Sequence, residues 1–98
     1  MSEKLKRTRG SENVFLDLGF SRGEAENLRL RAELMMRIEE FYRRSAMTQI
    51  DAAKLLGLTQ PRLNALLKGK IEIFSLDALV LIASKAGMSV QLQVKKAA

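Results

Sequence analysis

The sequence predicts an all-α domain of five helices, with a long helix near its N-terminal end and one short strand closing it. Three observations carry that prediction. Apolar residues recur at three- and four-residue spacing through residues 22–44, and again in shorter runs further along. The helical runs open on Ser or Thr and the short ones end on Gly, residue types that satisfy a helix start and the left-handed turn beyond its end. Strict apolar–polar alternation is convincing at one place only, residues 89–95.

Taken in order, residues 1–12 are polar and basic without periodicity and are expected to form a flexible tail. Residues 13–98 form a single domain in this reading. "NVFLDLGF" (13–20) offers one helical turn with Val14, Phe15, Leu18 and Phe20, too short to stand alone and so expected to dock on its neighbour. "SRGE" (21–24) has the form of a capping box, Ser21 with Glu24, and starts the long helix. Leu28, Ala32, Met35, Ile38 and Tyr42 mark its apolar stripe, widened by Leu34 and Phe41. Glu33–Arg37, Glu39–Arg43 and Glu40–Arg44 are expected pairs on its solvated face, each worth about 0.2–0.5 kcal/mol.

"MTQIDAAKLLG" (47–57) pairs Thr48 with Asp51 at its start and stops at Gly57, and Ile50, Ala53 or Lys54, and Leu56 leave a short helix with a small-residue face. "LGLTQPRLNALLKG" (56–69) gives a second short helix from Thr59 to Lys68, closed by Gly69. "SLDALVLIASKAG" (75–87) repeats the design, with Ser75 as cap, Asp77 in the first turn, Lys85 in the last, and Leu76, Leu79, Val80 and Ala83 inward. "SVQLQVK" (89–95) then places Val90, Leu92 and Val94 on one side of a strand. A solitary strand leaves backbone N–H and C=O groups unpaired, which asks for the same strand of a second copy about a twofold axis.

Composition narrows the function. The chain has neither Cys nor His, which removes most zinc sites and nearly all Ser-His or Cys-His nucleophile schemes. No Gly-rich phosphate loop is present, and the expectation is a protein that is not an enzyme and has no cofactor or metal. No apolar run is long enough to span a bilayer, and no apolar segment of a secretory signal follows the basic "MSEKLKRTRG". A cytoplasmic, nucleoid-associated protein with no membrane partner is expected.

The net charge is +6, and residues 45–98 hold seven Lys/Arg against three Asp/Glu while the rest is nearly balanced. That excess favours a polyanion, mainly nucleic acid. The aromatic residues are four Phe and one Tyr, none interleaved with basic residues on a sheet, so stacking platforms for single strands or RNA are not expected.

The two short helices separated by "GLT" constitute a helix-turn-helix, a first helix, a tight turn at Gly57, and a second helix whose N-terminal end meets DNA. The only proline of the chain, Pro61, falls in the first turn of that second helix, where its missing N–H costs little. On a helical wheel Leu63, Leu66 and Leu67 face inward, and Pro61, Ala65 and Lys68 outward, flanked by Arg62 and Asn64 with Gln60 at the tip. Gln60, Arg62 and Asn64 carry donors suited to base edges, while Pro61 and Ala65 suit thymine methyls. Lys54, Arg62, Lys68 and Lys70 are candidates for phosphate.

At these residues the chain resembles the Cro/repressor-like (XRE) helix-turn-helix family, through "TQIDAAKLLGLTQPRLNALLKGK" (48–70) and the helix that follows. The resemblance implies phosphate binding by Gln49 and base contacts from the Thr59-Gln60 end of the second helix. Relatives often carry polar residues where this chain has Pro61 and Ala65, which shifts readout onto Gln60, Arg62 and Asn64. The segments "SENVFLDLGFSRGEAENLRLRAELMMRIEEF" and "FSLDALVLIASKAGMSVQLQV" look like the small HigA-type antitoxin regulators. That narrower resemblance implies a homodimer that represses its own operon at a palindromic operator and binds a RelE-like toxin, with helix 22–44 or "NVFLDLGF" as its docking surface. Two alternatives stay open, a stand-alone or phage-type regulator without a toxin, and a protein-interaction module that keeps the fold without reading DNA.

Overall fold

A computed structural model describes residues 13–96; the expected tail, residues 1–12, lies outside the described residues. The elements are α1 (Val14–Asp17), α2 (Arg22–Ser45), α3 (Gln49–Leu56), α4 (Gln60–Leu67), a 3-10 turn (Ile71–Ile73) and α5 (Leu76–Lys85). Every helix starts by one device. The side chains of Asn13, Ser21, Thr48, Thr59 and Ser75 accept from the backbone N–H of Phe15, Glu24, Asp51, Arg62 and Ala78 respectively. Each such cap is worth about 1 kcal/mol against alanine. Ser21 and Glu24 form the full reciprocal box.

The helices enclose one core. Met35 and Ile38 of α2 meet Ala52, Ala53 and Leu56 of α3, Leu63 and Leu66 of α4, and Leu79, Ile82 and Ala83 of α5, with Phe74 among them. Ala52 and Ala53 are the small residues that let α3 lie close to its neighbours. α2 is the spine, in contact with α1, α4, the 3-10 turn and α5. The short α1 docks on it as its length requires: Asn13 Nδ2 donates to Ala25 O at 3.0 Å, and Phe15 meets Phe20 edge to face at 6.3 Å.

Several expectations are corrected. α2 runs to Ser45, then turns through Ala46 at φ 60°, a left-handed conformation in a residue other than glycine. Ser45 Oγ donates to Tyr42 O at 2.7 Å and accepts from Met47 N at 3.2 Å, which braces that turn. Ile50 is exposed, because the buried face of α3 follows Ala52, Ala53 and Leu56 and Ile50 lies about a third of a turn from the centre of that face. Of the expected ion pairs only Glu39–Arg43 forms (2.7 Å); Glu33 instead approaches Arg29, which is already bound to Glu26.

The strand expected at 89–95 does not form in the single chain. Among the described residues no β-ladder is present, and Val90, Leu92 and Val94 are 43%, 77% and 82% exposed. Among the described residues no other strand lies beside this segment to pair with its backbone.

Candidate nucleic-acid interface

The interface is built from α3, a three-residue turn and α4. Gly57 takes φ 71° at the end of α3, which lets the chain reverse at once. Leu58 is half-buried in the turn, its N–H donating to Ala53 O at 2.8 Å. A methyl group at Gly57 would overlap the Lys85 ammonium, which α5 brings over this corner. Thr59 caps α4 through its Oγ1, accepting from Arg62 N at 3.2 Å. Gln60 and Pro61 occupy the first two helical positions, where a proline ring fits and no intrahelical donor is lost. At the other end Gly69, at φ 76°, closes α4, with Lys70 N donating back to Ala65 O at 3.1 Å.

Leu63 and Leu66 are buried and fix the rotation of α4 about its axis. That rotation leaves Gln60, Pro61, Arg62, Asn64 and Lys68 exposed along its outer side, with Lys70 exposed just beyond and Gln49 exposed at the first position of α3. Ala65, assigned outward by the helical wheel, is half-buried, packed against the core with Leu67. Val90, Leu92 and Val94 are not brought to this face by any contact among the described residues.

Among the described residues the side chains of Gln49, Lys54, Gln60, Arg62, Asn64, Lys68 and Lys70 make no intramolecular hydrogen bond or ion pair. The charges of α2 contrast with this, since Glu26, Arg29, Glu33, Glu39 and Arg43 largely neutralise one another. The hydrogen-bond donors of the helix-turn-helix are therefore not spent on acceptors among the described residues. A surface of this kind can hydrogen-bond base edges and neutralise phosphates with little internal rearrangement.

Two contacts beside this face are not marked in the sequence. Phe74 is fully buried, yet one face of its ring carries the Arg62 guanidinium, with Cζ 4.7 Å from the centroid. Arg31 of α2 reaches across to the turn after α4, where Nη1 donates to Ile71 O at 3.2 Å and Phe74 O at 3.0 Å. A signal for Arg31 existed. It is the one arginine of α2 with no carboxylate three or four residues away, which sets it apart from the charge pattern of that helix.

Other chemistry has less to work with. A shallow open groove of about 450 Å³ is lined by Arg37, Glu40, Phe41, Arg44, Ser45 and Met88. Its one hydroxyl, that of Ser45, is committed to the turn at Ala46. Among the described residues no cluster of metal-ligating side chains occurs, and no helix is long and apolar enough to cross a membrane.

Comparison with known proteins agrees with this geometry. Residues 14–95 match a family model described as a helix-turn-helix domain. A solved structure titled as an XRE family transcriptional regulator superposes with a TM-score of 0.70 at 27% identity, covering 76% of this chain and 83% of that one. No curated protein matches the chain.

Proposed function

The chain belongs to the helix-turn-helix domain family, and on that premise we propose that it is a DNA-binding transcriptional regulator acting as a sequence-specific repressor. The observation that carries the proposal is the outer side of α4, where the side chains of Gln60, Arg62, Asn64 and Lys68 stand exposed with no hydrogen-bond or ion-pair partner among the described residues. Gln60, Arg62 and Asn64 read base edges, and Pro61 and Ala65 border the same face beside thymine methyls. Gln49, Thr59, Lys54, Lys68 and Lys70 hold phosphates, aided by the positive N-terminal ends of α3 and α4.

The protein acts as a homodimer in this reading. The exposed alternation of Val90, Leu92 and Val94 supplies the seam, each copy's 89–95 segment satisfying the backbone of the other. Two copies of α4 set about one DNA turn apart, roughly 34 Å, read a palindromic operator. The test is a titration against DNA from upstream of its own gene beside a scrambled duplex. Preference for the former, falling steeply with salt and abolished in Arg62→Ala/Asn64→Ala, supports the repressor. A folded protein that binds neither duplex is instead a protein-interaction module.

The regulator is further proposed to be the antitoxin of a toxin–antitoxin pair, binding a RelE-like toxin. Its support is the resemblance of the flanking segments and an apolar surface: Val14, Leu16, Leu18 and Phe20 stay 41%, 46%, 68% and 43% exposed although α1 is docked. A neighbouring gene product that co-purifies with the wild type and not with Leu16→Asp/Leu18→Asp supports this role. A stand-alone regulator is the outcome if no such partner exists.

A further inference from the structure

Resting on the DNA-reading proposal, we propose that Phe74 is a positioning residue for Arg62, and that Arg62, set on its ring before DNA arrives, reads a guanine in each half-site. Both ends of the stack are anchored. The Arg62 backbone is fixed by the Thr59 cap, whose Oγ1 accepts its N–H at 3.2 Å. Phe74 is fully buried, and its carbonyl accepts from Arg31 Nη1 of α2 at 3.0 Å. Between these anchors the guanidinium lies over the ring, 4.7 Å from its centroid.

The stack decides what Arg62 can recognise. A free arginine on a helix surface samples many rotamers, and ordering it on a base opposes binding. Here the ring has already restricted the side chain. With its Cζ held over the aromatic face, none of the guanidinium N–H groups is spent on a protein acceptor among the described residues. The remaining fork of donors matches the paired acceptors O6 and N7 of guanine, a match lysine does not reproduce. Gln60 and Asn64 have no comparable support, so the base pair under Arg62 is the most strongly discriminated of the half-site.

The test uses the full chain and a set of operator duplexes in which each base pair is replaced in turn, with binding followed by fluorescence anisotropy. The wild type loses about 5- to 150-fold at one guanine per half-site. Arg62→Lys loses that discrimination and keeps a salt-dependent affinity. Phe74→Leu lowers discrimination at the same base pair by about 2- to 5-fold and leaves the others unchanged. If Phe74→Leu weakens all duplexes evenly, Phe74 is only a core residue and the proposal fails. If Arg62→Lys is evenly weaker everywhere, Arg62 serves phosphate and the proposal fails as well.

Should Phe74→Leu not fold, NMR of the DNA-free wild type decides, because the stack requires upfield ring-current shifts of the Arg62 δ protons. Random-coil shifts overturn it. A wild type that prefers no duplex at all overturns the DNA reading itself, an outcome distinct from each of these.

Discussion

Replacing Arg31 with methionine removes the tie that holds the turn after α4 against the spine of the domain, and its cost follows from three terms. Two hydrogen bonds from a charged donor disappear, to Ile71 O at 3.2 Å and Phe74 O at 3.0 Å. Such bonds contribute about 1.5–3 kcal/mol each when both ends are desolvated. Arg31 is only half-buried, so water recovers part of that. Against the loss, Arg31 Nε is buried with no acceptor among the described residues, and methionine removes that penalty of about 1–3 kcal/mol while keeping the apolar stem. The balance is a destabilisation of about 1–3 kcal/mol, or roughly 5–20 °C in Tm for a domain of this size. Urea and thermal unfolding followed by circular dichroism measure it, with Arg37→Met as control. Arg37 is exposed and makes no ion pair among the described residues, so its replacement stays within about 0.5 kcal/mol. An Arg31→Met protein no less stable than that control would refute the assignment of Arg31 as the brace.

Further perturbations read other parts of the molecule. Ala46→Gly relieves the left-handed residue at the end of α2 and raises stability by about 0.5–1 kcal/mol, measured by urea midpoint; a loss instead would contradict the strain. Gly57→Ala costs about 1–2 kcal/mol through its φ of 71°, since the flexible Lys85 end can move aside. Val90→Asp/Leu92→Asp converts the proposed dimer to a monomer in analytical ultracentrifugation with the helical circular dichroism spectrum kept, because both side chains are exposed within one copy, and Tm falls only by what dimerisation contributes; an unaltered dimer would place the seam elsewhere. Lys68→Ala/Lys70→Ala weakens binding to specific and scrambled DNA alike and lowers the salt slope by about one for each phosphate no longer neutralised.

Much of this was legible in the sequence because short helices advertise their ends. Ser21, Thr48, Thr59 and Ser75 each stand one residue before a helix and cap it. Gly57 and Gly69 mark the turns that bound α3 and α4. The end of α2 was misplaced by one residue because Ala46 carries no mark of a left-handed turn. The brace at Arg31 spans 40 and 43 residues, a range at which sequence spacing says nothing of contact. The Arg62–Phe74 stack was hidden for a related reason. Phe74 reads as core, which it is, and nothing in a linear pattern shows that one ring face is left for an exposed cation. The segment 89–95 shows the opposite limit: alternation specifies a strand's faces, but a ladder needs a neighbour that a single copy does not supply.

The central claim is that the outer side of α4 reads DNA sequence, and the most direct measurement is titration of the protein against DNA from upstream of its own gene beside a scrambled duplex at two salt concentrations. The account predicts tight binding to the first duplex and weak binding to the second, a steep fall of both with salt, and loss of the difference in a folded Arg62→Ala/Asn64→Ala variant. Equal affinity for the two duplexes, unchanged in that variant, would contradict it.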